Sequence, residues 1–320
     1  MTPALPDGWT WRRPADPEDD AAAVFALVAA CNEAVIGVAD WTLDDAVEQL
    51  GEPGFDAERD GWLVVDADGA LVGFGCVQHE GDDQVGAEVF ALDDQITQWL
   101  LGEVTARADE LARSAGHRAA TIIFGVYRQD EARRALLTEH GYESATTFHR
   151  MRIDHDAAAS PVEPPAAPAG VVVRQGPGDE AFRRTAHEIK EASFRDHFGH
   201  VVEPYERWHA QVEASPTRDW EQLWVADVDG TPAAMLHAHD GFLADEDCGY
   251  VSHVGVLPEF RGRGLAKLLL HTAFASDAAR ARAGTLLHVD TNNTTPALDL
   301  YLDLGMRPVL VIDAWRRPGT

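Results

Sequence analysis

The segment Val254-Gly-Val-Leu-Pro-Glu-Phe-Arg-Gly-Arg-Gly-Leu-Ala266 decides how the C-terminal half of this chain should fold. It predicts a strand that ends at Val256, because Pro258 has no N–H to donate to a neighbouring strand. The Arg-Gly-Arg-Gly run leads directly into an apolar helix over residues 267–280. Glycines let the backbone turn tightly, and the free N–H groups at a helix start attract negative charge. The segment therefore predicts an anion-binding loop suited to a pyrophosphate.

Two other phosphate-binding patterns do not fit this loop. A Walker loop requires Gly-x-x-x-x-Gly-Lys-Ser/Thr, which the chain lacks here, and a dinucleotide fingerprint requires a third glycine where Lys267 stands. A basic turn that merely caps a helix remains the structural alternative.

The length and internal pattern of the chain predict two similar domains. The chain has 320 residues, and an Ala/Pro-rich segment cuts it nearly in half. Two Asp-Gly turns between apolar runs, at Gly69 and Gly230, lie 161 positions apart, and two helix-ending glycines, Gly141 and Gly305, lie 164 positions apart. This near-constant offset indicates a duplication. We predict one domain over residues 1–155, a linker over 156–170 and a second domain over 171–320.

The charge and the cysteine pattern narrow the possible partners. The net charge of −28 argues against nucleic acid and anionic membranes as partners, and fits both a cationic amine substrate and a generally acidic surface.

Residues 1–20 lack a signal pattern and no stretch is long enough to span a bilayer, which predicts a cytoplasmic protein. The three cysteines lack metal-ligand spacing, so no metal is predicted. Monomer and homodimer both remain open.

Alternating element types predict a mixed α/β fold for the second half. Strands are expected at 171–174, 223–227, 233–239, 249–256, 286–290 and 308–315. Helices are expected at 180–193, 204–213, 262–282 and 296–304.

Two motifs in this half resemble those of the GCN5-related N-acetyltransferase (GNAT) superfamily. The family signature Arg/Gln-x-x-Gly-x-Gly/Ala is matched by Arg261, Gly264 and Ala266, after an apolar Val-x-Val strand. The family also shows an Asn, then Ala-x-x-Leu-Tyr, then Gly-Phe. Here the matching residues are Asn293, Ala297, Leu300, Tyr301 and Gly305, with Met306 in place of the Phe.

The resemblance implies an acetyl-CoA site and an α/β architecture of two tandem GNAT-like domains. The strand backbone would pair with pantetheine, the loop would wrap the pyrophosphate, and Asn293 would contact the pantetheine arm. The implied cofactor-binding residues are Val254, Gly255, Val256, Arg261, Gly262, Arg263, Gly264, Leu265, Ala266, Lys267 and Asn293.

The same resemblance implies a catalytic role for Tyr301, near the sulfur, as the acid that protonates the leaving thiolate. The sequence does not decide which residue acts as the general base that accepts the amine proton. Strand alternation puts Tyr250 and Ser252 on the face of Val254, so Ser252 is a candidate proton relay through water, whereas His253 would need a bulge to reach the site. His237 and His239 share one face of the preceding strand.

For the acceptor, the region after the first helix of this domain lines the pocket in GNAT proteins. This makes Asp196 and His197 the candidate substrate-binding residues, with His200 close by.

The first half lacks the loop chemistry. At the matching position it has Asp93 and Asp94 and no glycine pair, and Leu137 stands where Tyr301 does. This predicts a degenerate N-terminal domain. The layout resembles that of mycothiol synthase-type proteins, which acetylate the amine of a thiol-sugar precursor. The expected function is acetylation of a small-molecule primary amine; peptide N-acetylation and a non-catalytic acyl-CoA sensor or scaffold are the alternatives.

Overall fold

In the computed structural model of this chain, the described residues are 4–15, 17–81, 83–155, 165–195, 197–198, 200–292 and 297–319. They belong to two units: unit 1 lies within Met1–Thr147 and Ile312–Thr320, and unit 2 is Phe148–Val311. Each unit includes a strand segment from the opposite half of the sequence, which the sequence pattern did not predict. Most of the expected linker, 156–164, lies outside the described residues.

The strands follow one another along the chain in two similar series. They are β1 (Thr10–Arg12), β2 (Gly61–Val65), β3 (Leu71–Gly81), β4 (Gln84–Ala91), β5 (Thr121–Tyr127), β6 (Glu143–Asp154), β7 (Val171–Gln175), β8 (Leu223–Val228), β9 (Thr231–His239), β10 (Cys248–Val256), β11 (Gly284–Asp290) and β12 (Arg307–Arg317).

The helices alternate with these strands. They are α1 (Pro17–Ile36), α2 (Leu43–Gly51), α3 (Ala57–Asp60), α4 (Asp94–Ser114), α5 (Glu131–Glu139), α6 (Glu180–Phe194), α7 (Tyr205–Ala214), α8 (Leu243–Glu246), α9 (Leu265–Ala279) and α10 (Ala297–Asp303). Within the described part of the chain, no helix combines the length and the apolar character needed to cross a membrane.

Unit 1 is built on a mixed sheet with the strand order β1-β2-β3-β4-β5-β12. The first four strands are antiparallel neighbours, β4 pairs in parallel with β5, and β5 pairs antiparallel with the end of β12. Helix α4 packs on one face of this sheet, where Trp62, Ile96 and Leu100 are buried in one apolar cluster. Helices α1 and α2 form a second cluster around Phe74 and Cys76.

Unit 2 repeats this plan with the strand order β6-β11-β10-β9-β8-β7. Successive residues of a strand point to opposite faces, so its two faces carry two cores. Leu236 packs with Leu269 of α9 on one face, and Met235 packs with Trp208 of α7 on the other. The second half is therefore a mixed α/β fold, as predicted.

The ends of two helices show the repeat at atomic detail. After α5, the carbonyl of Leu137 accepts a hydrogen bond from the N–H of Tyr142 at 2.9 Å, and after α10 the carbonyl of Tyr301 accepts one from Met306 at 3.0 Å. Both bonds close the six-residue turn of a glycine-ended helix. Leu137 and Tyr301 thus occupy corresponding positions at the ends of corresponding helices.

Candidate active site

A cavity of about 630 Å³ opens in unit 2 where β10 and β11 diverge. These strands pair in parallel from Cys248 to Val251 on β10, opposite Gly284 to Leu287 on β11, and no further pair joins them among the described residues. The backbone of Val254 and Val256 therefore lines the cavity on β10 without a neighbouring strand on that side. Such an edge can pair with an extended ligand.

The predicted loop forms one end of this cavity. Gly262 and Gly264 adopt positive φ angles of 76° and 78°, a conformation that favours glycine. Helix α9 then starts after Gly264, which has no side chain, and no described side chain caps its N–H groups. Of the residues predicted to hold a pyrophosphate, all but Arg263 line the cavity, and the guanidinium of Arg263 lies over the Phe260 ring instead. The exposed Lys267 adds positive charge at the same end.

The corresponding helix of unit 1 begins differently. The carboxylate of Asp93 accepts hydrogen bonds from the N–H groups of Gln95 and Ile96, at 2.8 and 3.1 Å. A fixed negative charge thus occupies the N-terminus of α4, where the N-terminus of α9 is open.

A β-bulge interrupts β10 beside the cavity. Tyr250 and Val251 pair with His239 and Ala238, but His253 pairs with His237, so Ser252 is the extra residue. The expected alternation is therefore wrong for Tyr250: Val251 shares the α9 face with Val254 and Val256, whereas Tyr250 lies on the opposite face. The extra residue reverses the alternation.

The bulge brings His253 into the cavity wall, next to α6. Its ring meets the ring of Phe194 edge to face, with 5.4 Å between centroids, and its Nδ1 is buried with no hydrogen-bond partner among the described residues. Burial lowers the pKa of His253 well below its usual value, so the ring is neutral. The hydroxyl of Ser252 also lines the cavity and donates to the carbonyl of His237 at 3.0 Å.

Gly255 is required by the close approach of α6. A Cβ at this position would lie 2.8 Å from the Cβ of Ser193, closer than side chains tolerate. The Ser193 hydroxyl lines the cavity, is buried, and has no hydrogen-bond partner within the part of the chain that the structure describes. The sequence carried no signal for this residue, because a serine at a helix end is ordinary.

Tyr301 lines the cavity, and its side chain is buried. Burial raises its pKa, and the nearby Tyr250 phenol raises it further. A phenol with a raised pKa is fully protonated at neutral pH and can donate a proton or a hydrogen bond.

The remaining predicted residues divide into three groups. His197 and His200 line the cavity, and the centroids of the His197 and Phe194 rings lie 4.6 Å apart. Asp196 and Asn293 lie outside the described residues. His237 and His239 do not line the cavity: His237 stacks on Trp220 in the core, and His239 accepts a hydrogen bond from the N–H of Gly241 at 3.0 Å.

No cluster of three or more potential metal ligands occurs in the part of the chain that the structure describes. Cys31, Cys76 and Cys248 are buried free thiols.

Comparison with known proteins agrees with this geometry. Residues 184–306 match the acetyltransferase (GNAT) family. A mycothiol acetyltransferase of Nocardia farcinica is 30% identical over 97% of this chain and 97% of its own length, and one of Actinosynnema mirum is 27% identical over 92% and 95%.

Solved structures share the fold at lower identity. A GCN5-related N-acetyltransferase from Sphaerobacter thermophilus superposes with a TM-score of 0.78 at 24% identity, covering 99% of this chain and 98% of its own. A tandem GNAT protein from the clavulanic acid biosynthesis pathway gives a TM-score of 0.75 at 18% identity, covering 97% and 98%. The chain is a tandem GNAT-fold protein that belongs to the acetyltransferase (GNAT) family, and it is an N-acetyltransferase.

Proposed function

We propose that this chain transfers the acetyl group of acetyl-CoA directly to the primary amine of a small molecule, with both substrates bound together in unit 2. The observation that carries the proposal is the continuous cavity from the open N-terminus of α9, along the unpaired edge of β10, to Tyr301.

The proposed acetyl-CoA site uses backbone groups more than side chains. The uncapped N–H groups of α9 and the loop at Gly262 and Gly264 suit a pyrophosphate, and Arg261 and Lys267 supply positive charge. The N–H and C=O groups of Val254 and the N–H group of Val256 suit the amides of pantetheine, whereas the Val256 carbonyl accepts a hydrogen bond from Arg261 Nε at 3.3 Å. Asn293, which we also assign to the pantetheine arm, rests on the sequence resemblance alone.

The proposed chemistry needs an acid, an oxyanion donor and a proton acceptor. Tyr301 gives its proton to the departing thiolate, and a backbone N–H of β10 near Val254 polarises the thioester carbonyl. Ser252 directs its own proton to the carbonyl of His237, so its oxygen stays free to accept a hydrogen bond from a water that carries the amine proton away.

The acceptor enters from the α6 side, where His197 lines the cavity; Asp196 is assigned there from the sequence alone. A mycothiol-type acceptor is the leading specific candidate, because relatives named mycothiol acetyltransferase match the chain over nearly its whole length. Other small amines remain within the same proposal.

The N-terminal domain is proposed to bind no acyl-CoA. The carboxylate of Asp93 places a fixed negative charge at the N-terminus of α4, where a pyrophosphate would have to bind. Unit 1 would then serve as support for unit 2.

The test combines stoichiometry with turnover. We expect calorimetry to give one acetyl-CoA per chain, and free CoA to appear only when an amine is added, with the acetylated amine identified by mass spectrometry. Binding without CoA release across a broad amine panel that includes the mycothiol-type acceptor would favour the sensor or scaffold class. Two sites per chain would contradict the silent N-terminal domain.

A further inference from the structure

Three side chains form a row across neighbouring strands at the point where β10 and β11 diverge. Arg150 of β6 pairs in register with His288 of β11, and its Nε donates to His288 Nε2 at 3.2 Å. On the other side of the ring, His288 Nδ1 lies 2.8 Å from the hydroxyl oxygen of Tyr250 on β10. The row ends in the cavity, because both Tyr250 and His288 line it.

The arginine determines which nitrogen of His288 carries the proton. A guanidinium is always a donor, so His288 Nε2 must accept. The proton of the neutral ring therefore sits on Nδ1 and is donated to the Tyr250 oxygen. The pair is shielded from water: Arg150 is buried, and its guanidinium lies 4.7 Å from the centre of the Phe242 ring.

This arrangement leaves the hydroxyl proton of Tyr250 free. His288 Nδ1 cannot accept it, and the backbone N–H of His288, the other group that bonds Tyr250, is itself a donor. Burial raises the pKa of Tyr250 to about 12 and lowers that of His288 to about 3, so neither group changes its charge near neutral pH. Tyr250 is thus a fixed hydrogen-bond donor in the cavity wall, close enough to Tyr301 to raise its pKa.

We infer that Tyr250 donates a hydrogen bond to the acyl oxygen as negative charge develops there during transfer, and that Arg150 and His288 hold it in that role. The inference rests on the proposed acetyl transfer. The proton stays on Tyr250 throughout, so no bond to it is broken; the nucleophile's proton and the thiolate's proton are handled by other groups. Tyr250 is the residue that touches the reacting atoms, whereas His288 and Arg150 are positioning residues that act through it.

The inferred hydrogen bond from Tyr250 should affect kcat more than substrate binding. A donor aimed at charge that appears only in the transition state raises kcat and leaves ground-state binding nearly unchanged. Loss of one oxyanion donor typically costs about 100-fold in kcat. A residue that merely fills space would change stability, or both KM values, without this selective loss.

The experiment has a spectroscopic arm and a kinetic arm. In protein labelled with ¹⁵N-histidine, long-range ¹H–¹⁵N spectra, with the His288 signals assigned from the His288→Asn variant, are expected to show His288 protonated on Nδ1. Tyr250→Phe is expected to lower kcat by about 100-fold with both KM values within about twofold. Tyr142→Phe, which removes a buried phenol hydroxyl bonded to Thr105 in unit 1, is the matched control and should leave kcat unchanged.

Two variants of His288 test whether this residue positions Tyr250. His288→Asn retains an N–H that can donate to the Tyr250 oxygen and should keep more activity than His288→Leu, which cannot donate. A His288 ring protonated on Nε2, or a Tyr250→Phe enzyme with unchanged kcat, would overturn the inference. If the wild-type enzyme releases no CoA with any amine, the proposed function itself fails and takes this role with it; an active wild type with an equally active Tyr250→Phe rejects the role alone.

Discussion

Gly264 offers the most direct test of the phosphate loop. Its φ angle is 78°, and apart from the glycine and its chain neighbours no atom of the described residues lies within 4 Å of the position that a Cβ would take. A side chain therefore has room but strains the backbone, at a cost of about 1 kcal/mol in the free energy of unfolding. Glutamine and glutamate incur the same strain and have nearly the same size. The variants Gly264→Gln and Gly264→Glu consequently differ in one negative charge beside the N-terminus of α9.

The expected difference follows from Coulomb's law. A carboxylate about 8 Å from a phosphate charge, at an effective dielectric constant of about 20, costs about 2 kcal/mol. This corresponds to acetyl-CoA binding about 30-fold weaker in Gly264→Glu than in Gly264→Gln. Calorimetric titration of both variants at low ionic strength measures the difference, which should shrink in high salt because exposed charges are screened. Equal affinities at low salt, in two folded variants, would refute the assignment of this loop to the phosphates.

Three further predictions concern catalysis, capping and pH. Tyr301→Phe should lower kcat about 100-fold, because the thiolate loses its proton donor, while KM for acetyl-CoA stays nearly constant; a kcat within about twofold of wild type in steady-state assays would contradict the acid role. Asp93→Ala should lower the free energy of unfolding by about 1 kcal/mol, because α4 loses its cap, and leave kcat and KM unchanged; loss of activity in a variant that still folds would contradict a purely supporting unit 1. Burial lowers the pKa of His237 to about 4, so its contribution is complete above the unfolded-state pKa near 6.5 and is lost as the pH falls towards 4. His237 alone should lower the free energy of unfolding by about 2 kcal/mol between pH 7 and pH 5. Denaturant titrations at the two pH values should show a smaller decrease in His237→Asn than in the wild type. Equal decreases would show that His237 does not titrate in this way.

Local chemistry made the elements of the second half predictable. The expected strand 223–227 and helix 180–193 are observed as Leu223–Val228 and Glu180–Phe194, because apolar periodicity and an Asp179 cap define them within the chain itself. The loop was predictable for the same reason: glycines at positive φ, followed by an apolar helix, need no partner from elsewhere in the sequence.

Features that depend on distant residues were not predictable. The β-bulge at Ser252 depends on the register between β9 and β10. The extra residue changes which face of the sheet the preceding side chains occupy relative to the following ones. The expectation for Tyr250 failed for that reason. Likewise, Arg150 meets His288 across 138 sequence positions, and no local pattern in either segment signals the contact.

A comparison of corresponding elements explains why function should reside in unit 2. In unit 1, the helix start that would face a pyrophosphate already has a partner within the protein, because the carboxylate of Asp93 caps α4. In unit 2, no described side chain caps the start of α9, and the Ser193 hydroxyl and His253 Nδ1 are buried at the cavity wall without partners among the described residues. An unpaired buried polar group costs about 1–3 kcal/mol, and folded proteins seldom retain one without a use for it. A bound substrate that pairs with these groups of unit 2 would remove that free-energy cost. The corresponding helix start in unit 1 is already capped by Asp93 and has no such gain to offer.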